Sequence, residues 1–234
     1  KLYSSENMDK ETSNCHIWSL IALDAWKSEI PSDARWTREK LIEKILSFQT
    51  EEGGFGLFDN KSSSIDMTGM ALQSLAPYYN NDKYPEVRKA VDKSLSYLKS
   101  QKTGNAGYID GGSENSCSTA QVLTALAALN IDPVKEESGF TSNLKNIITN
   151  LDGYKAETGF GINNAEGSNG MATQQVTYAL VAYQRMMEGR NGLYDITDVK
   201  PEKPSVTPDE EKANKVVEAI DGIGEVTLES KDKI

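Results

Sequence analysis

The segment Asp66-Met67-Thr68-Gly69-Met70-Ala71-Leu72-Gln73-Ser74-Leu75 recurs in altered form three more times along the chain. Setting Thr68 over Thr119 and Thr173, with His16 in the matching place of the first copy, brings four segments into register. The spacings are 52, 51 and 54 residues. Three positions on stand Ser19, Ala71, Val122 and Val176; six on, Ala22, Ser74, Ala125 and Ala179; seven on, Leu23, Leu75, Leu126 and Leu180. A fixed period of this length means stacked supersecondary units, each burying its apolar face against the next.

A second kind of helix lies between the copies, expected over 37–49, 85–101 and 142–151. Its apolar residues form one stripe: Val87, Val91, Leu95 and Leu98, or Leu144, Ile147, Ile148 and Leu151. Arg88, Lys89, Asp92 and Lys93 fall on the opposite face, as in an amphipathic helix. The repeated helices differ. Val122-Leu123-Thr124-Ala125-Leu126-Ala127-Ala128-Leu129 and Ile17-Trp18-Ser19-Leu20-Ile21-Ala22-Leu23 are apolar nearly all round, the mark of a helix covered on both sides. Two layers follow, an inner ring and an outer one. Trp18, Trp26, Tyr178 and Tyr183 are then expected in the core. Each outer helix leads into a loop with a glycine-aromatic pair (Gly54-Phe55-Gly56, Gly107-Tyr108, Gly159-Phe160-Gly161), whose ring is expected to plug the gap between helix pairs.

These features carry a resemblance. Gln49-Thr50-Glu51-Glu52-Gly53-Gly54-Phe55-Gly56 followed by the Asp66 helix resembles the prenyltransferase and squalene-oxidase repeat. So do Ser118-Thr119-Ala120-Gln121-Val122-Leu123, the run from Met171 through Tyr183, and Gly192-Leu193-Tyr194-Asp195. The resemblance implies an all-α fold, the α/α toroid of terpenoid cyclases, protein prenyltransferase β subunits and cobalamin carriers. It is nearest to the transcobalamin-like toroids of secreted Gram-positive surface proteins, which implies an extracellular or cell-wall-associated location. Four inner and three outer helices make a partial ring: either an open arc, or one completed by residues outside this chain.

The toroid is expected over 1–199. Three prolines in the eight residues after Lys200 make 200–208 a semi-rigid linker. Residues 209–234 read as the truncated start of a second small helical module. No run approaches the roughly 20 apolar residues that span a bilayer. A net charge of −10 argues against duplex nucleic acid or an anionic membrane as partner. Cys15 and Cys117 belong to no metal-binding spacing and are expected as free thiols.

The chemistry of the related enzymes finds few matching residues. The cyclase DxDD motif falls on Ser64-Ile65-Asp66-Met67, where Asp66 alone survives; a cyclase-like enzyme with Asp66 as general acid is one alternative. Prenyltransferase β subunits bind zinc through an Asp, a Cys two residues later and a distant His, but Asn115 precedes Cys117 and the single histidine, His16, lies upstream. No catalytic residue, metal site or cofactor is therefore expected. A transcobalamin-like cobalamin-binding domain is a further alternative, although no β domain follows in the chain. The leading reading is a non-enzymatic ligand-binding or adhesion module. It would take a small molecule, glycan or protein at a ring mouth where inner-helix N-termini meet the glycine-rich loops. The residues expected to line that mouth are His16, Asp66, Thr68, Glu114, Thr119, Asn169 and Thr173.

Overall fold

The chain alternates between two kinds of helix in a computed structural model that describes residues 7–164 and 167–199. In order these are α1 (Ser13–Asp24), α2 (Arg38–Leu46), α3 (Ile65–Leu75), α4 (Pro85–Gln101), α5 (Ser116–Ala128), α6 (Ile147–Asp152) and α7 (Gly170–Met187). The odd-numbered helices are the four copies of the repeat, and the even-numbered ones come between. Two hairpins of two-residue strands, β1 (Ile109–Asp110) with β2 (Ser113–Glu114) and β3 (Lys155–Ala156) with β4 (Gly159–Phe160), shape the loops before α5 and α7. The expected linker and second module fall on 200–234, outside the described residues.

The inner helices pack in chain order, α1 on α3, α3 on α5 and α5 on α7, with α2, α4 and α6 against α1, α3 and α5. This is the all-α toroid arrangement, with the expected four inner and three outer helices. Composition explains the layering. Every residue of α5 from Ser116 to Ala127 is buried, because α3, α6 and α7 cover it on three sides. On α4 only Val87, Ala90, Val91, Ser94, Leu95, Tyr97 and Leu98 are buried, and its charged face meets solvent. Gly69 permits the closest inner contact: a Cβ there would lie 2.9 Å from the backbone of Gln121, so α3 and α5 approach only because α3 has no side chain at that point.

The plugs are in place. Phe55 and Tyr108 are fully buried, and Phe160, half-buried, packs against the same core. Gly56 is required in the first plug, since a Cβ there would sit 2.0 Å from the Asp59 carbonyl oxygen. After α7, the chain returns to α1. Arg185, 7% exposed, grips Asp198 with two hydrogen bonds of 2.7 and 2.9 Å, and Ile196 N–H donates to the Ala25 carbonyl at 3.4 Å. The residues between these anchors form a strap across the end of the helix row.

Three expectations are corrected. The third outer helix begins at Ile147 rather than 142. Asn143 and Leu144 take left-handed backbone angles (φ 51° and 63°), and Asn146 closes a capping box with Thr149. Leu144, assigned to the apolar stripe, is 97% exposed as a result. Trp26 is 57% exposed, because α1 ends at Asp24 and leaves it on the surface. Trp18 is 38% exposed, because it faces an open space that Met70, Gln121 and Tyr178 also line.

Candidate functional site

The threonines that set the register act on the plug loops. Thr68 Oγ accepts from the Phe55 N–H at 2.9 Å and donates to the Ser64 carbonyl at 2.6 Å. Thr119 accepts from the Tyr108 N–H at 3.2 Å and donates to the Asn115 carbonyl at 3.0 Å. Thr173 accepts from the Phe160 N–H at 3.0 Å. Each hydroxyl therefore fastens a plug to the head of an inner helix. His16 makes the helix half of this bond, with Nδ1 2.9 Å from the Thr12 carbonyl oxygen. Its ring is fully buried, edge-on to Trp36 at 5.3 Å and tilted against Phe48 at 6.0 Å. Burial holds its pKa below the usual histidine value.

Two more of the expected mouth residues have structural partners. Asn169 caps α7 by accepting from Met171 and Ala172 N–H at 3.0 and 3.1 Å. Glu114 accepts from Asn150 at 2.9 Å and the Tyr154 hydroxyl at 3.3 Å. Thr68 and Thr119, like His16, have no exposed surface. The seven residues thus do not converge on one open mouth.

Asp66 differs from the rest. It lies in the first turn of α3, whose N-cap is Ser64, and its Oδ1 is buried without a hydrogen-bond partner. Burial raises its pKa, the Asp110 carboxylate raises it further, and the Ser118 hydroxyl offsets part of the effect. Asp110, which the sequence did not single out, reaches over from β1, accepting from the Ser64 hydroxyl at 2.6 Å and the Asp66 N–H at 3.2 Å.

The open space lies further along the inner helices. A cavity of about 500 Å³ is lined by Trp18, Met70, Gln121, Gln174, Gln175, Tyr178, Leu193 and Tyr194. Trp18, Met70, Gln121 and Gln175 each stand two positions after the register residue of their copy. One position in every repeat therefore faces one space. Asn14 and Asp66 sit four residues earlier than Trp18 and Met70, a spacing that puts them on the same helix face. Asn14 Oδ1 is also buried and unpartnered.

An amide chain crosses the wall of this lumen. Gln73 Nε2 donates to Gln121 Oε1 at 3.0 Å, and Gln121 Nε2 donates to Gln175 Oε1 at 3.3 Å and to the Tyr178 hydroxyl. Gln73 Oε1, at the start of the chain, is left without a donor. Tyr194 of the strap packs edge-on to Trp18 at 5.4 Å, and burial pushes its hydroxyl pKa up to about 12.

The family model of the prenyltransferase alpha-alpha toroid domain matches residues 3–203. The chain belongs to that family. Among solved structures it is similar to protein geranylgeranyltransferase-I of Candida albicans complexed with GGPP, at 11% identity and a TM-score of 0.53. The match covers 75% of this chain and 50% of the other, so the chain spans about half the length of that toroid protein. At this identity the likeness is one of fold. No curated protein sequence matches.

The zinc set known from prenyltransferase toroids does not fit the residues here. Cys117 is buried in the first turn of α5 behind its cap Asn115, and His16 is enclosed by Trp36 and Phe48. Among the described residues no three of His, Cys, Asp and Glu stand together in a way that could hold a metal ion. The lumen residues escaped the sequence reading because it looked for positions the copies share. The usable signal was the opposite one, the position where the copies read Trp, Met, Gln and Gln.

Proposed function

We propose that this toroid is a non-enzymatic ligand-binding module that takes an uncharged, hydroxyl-rich ligand, a glycan, in the lumen bounded by Trp18, Gln121, Gln175, Tyr178 and Tyr194. The cavity carries the proposal: aromatic rings and carboxamides around about 500 Å³, with no charged side chain in the lining. A sugar ring lays its C–H face on an aromatic surface while its hydroxyls pair with amides, and the volume lies in the range of small-molecule sites. A secreted or cell-wall-associated location agrees with the resemblance to Gram-positive surface toroids and with a net charge of −10.

The cyclase-like alternative rests on Asp66 alone. Burial raises its carboxyl and so keeps it protonated, but Ser64 and Met67 stand where the cyclase motif has the carboxylates that strengthen the acid. The test is native mass spectrometry of the chain against a panel of neutral oligosaccharides, with isoprenoid diphosphates and cobalamin as comparators. A discrete oligosaccharide adduct that weakens about tenfold or more in Trp18→Ala is expected. Adducts only with the comparators, or an oligosaccharide adduct indifferent to Trp18→Ala, would overturn the proposal.

A further inference from the structure

Leu193 and Tyr194 line a second cavity as well as the first. The strap therefore stands between two spaces. The second also measures about 500 Å³ and lies towards the C-terminal ends of α1, α3 and α5. Ile21, Gln73 and Thr124 each stand five positions after their register residue and all line it. Ala76, Pro77 and Ala128 extend an apolar wall.

Among the side-chain polar atoms of this wall that are closed off from solvent, all but one are paired. Asp24 accepts from Arg38 Nε at 2.6 Å and from the Tyr78 hydroxyl at 2.7 Å. Arg38 Nη2 donates to the carbonyls of Leu23 and Ser28 at 2.8 and 2.9 Å. The Thr124 and Ser74 hydroxyls donate to Ala120 and Ala71 carbonyls at 2.9 and 2.8 Å. Asp195 accepts from the Thr197 amide at 3.1 Å and its hydroxyl at 2.6 Å; burial raises the Asp195 carboxyl, but these bonds and nearby Lys27 hold it below the usual range. The lining thus carries two carboxylates and two cations, Lys27 and Arg38, and shows no excess of either sign. The exception is Gln73. It is 5% exposed, its Nε2 is engaged by Gln121, and its Oε1 has no donor. A buried acceptor left unpaired is destabilising, and a donor arriving in the cavity relieves it.

We infer that this second cavity is a separate binding site for an uncharged, largely apolar molecule bearing one hydroxyl or amide N–H, which donates to Gln73 Oε1. Charge balance disfavours ions, the apolar wall takes the body of the ligand, and the unpaired Gln73 Oε1 orients it. The site does not depend on glycan binding in the first cavity.

The experiment titrates the full chain with 1-naphthol, uncharged at neutral pH, and with 1-methoxynaphthalene, which has the same rings and no donor. Binding is read by NMR shift changes and naphthol fluorescence. The expected result is 1-naphthol bound about tenfold tighter than the methyl ether, the equivalent of one buried hydrogen bond. In Gln73→Met, which keeps the bulk and removes the acceptor, the two probes should bind alike. Ala128→Trp, which fills the cavity from a half-buried position, should abolish binding of both while circular dichroism shows the fold intact. Equal affinities in the wild type, a preference that survives Gln73→Met, binding that survives Ala128→Trp, or no naphthol binding up to its solubility would each overturn the inference.

Discussion

Two faces of the same inner helices follow different rules. The outward face repeats: the plug-fastening hydroxyls of Thr68, Thr119 and Thr173, then Ala71, Val122 and Val176, then Leu75, Leu126 and Leu180. The lumen face does not: Trp18, Met70, Gln121 and Gln175 in one layer, Ile21, Gln73, Thr124 and Tyr178 in the next. The two faces share backbone, helical turns and capping. They differ in what they meet. A residue facing the next repeat meets the same partner in every copy, so one solution serves all. A residue facing the lumen meets a space that belongs to the whole ring, and each copy contributes a different group to it. Within one chain, agreement between copies marks packing, and disagreement marks the surface available for binding.

The comparison breaks if the two faces prove energetically alike. Leu126, seven positions after Thr119, has no exposed surface. Leu126→Ala should cost about 2–5 kcal/mol through lost burial and the cavity left behind. Gln175→Ala, on the lumen face of α7 and half-buried, should change stability by no more than about 0.5 kcal/mol. Urea unfolding of both variants measures the difference. Comparable losses would mean that the lumen face is part of the core rather than a surface set aside from it.

The plug bond gives the next effect in size. Thr119→Val keeps the shape and removes the hydroxyl, leaving the Tyr108 N–H buried without an acceptor. A loss of about 1–3 kcal/mol is expected. Thr173→Val should cost less, because Thr173 and Phe160 are only half-buried at the end of the helix row. Equal losses at the two positions would show that the bond's worth does not depend on burial by neighbouring repeats.

This contrast also accounts for what could be read from the chain. The period, the two layers, the four inner and three outer helices and the aromatic plugs were legible, because packing repeats and repetition shows in a sequence. The first two outer helices, expected to start at 37 and 85, do begin there, at the Thr37 cap and at Pro85. Leu144 was misplaced because its apolar side chain fits an i, i+3 stripe, while the left-handed turn at Asn143 and Leu144 carries no glycine to announce it. The candidate site was much less legible. Thr68, Thr119 and Thr173 drew attention by their agreement and turned out to face the plugs. Gln73, Gln121 and Gln175 form one chain of hydrogen bonds across three helices, yet lie 48 and 54 residues apart in sequence. The strap residue Tyr194 reaches the lumen only because Arg185 and Asp198 turn the chain back towards α1.

His16 is the one outward-face register residue that breaks the pattern, and it supplies a finer test. Its ring fills a pocket against Trp36 and Phe48, and burial lowers its folded pKa below the ordinary 6.5. The unfolded chain therefore binds a proton at His16 more readily than the folded one. Stability from this group is complete above about pH 6.5 and is lost as the pH falls from there towards the folded pKa. His16→Thr should remove that part of the pH dependence. Thr restores the hydroxyl found in the other copies and can still donate to the Thr12 carbonyl, as Thr68 does to Ser64, but it leaves the aromatic pocket underfilled. The variant is expected to be less stable than the wild type at pH 7.5, with the gap narrowing at pH 5.5. Denaturant midpoints at the two pH values decide the matter. A gap that stays constant would mean that His16 titrates alike in both states and that its ring serves only as filling. A gap that narrows would show a register position where one copy has exchanged the plug bond for aromatic packing, at the cost of sensitivity to acid.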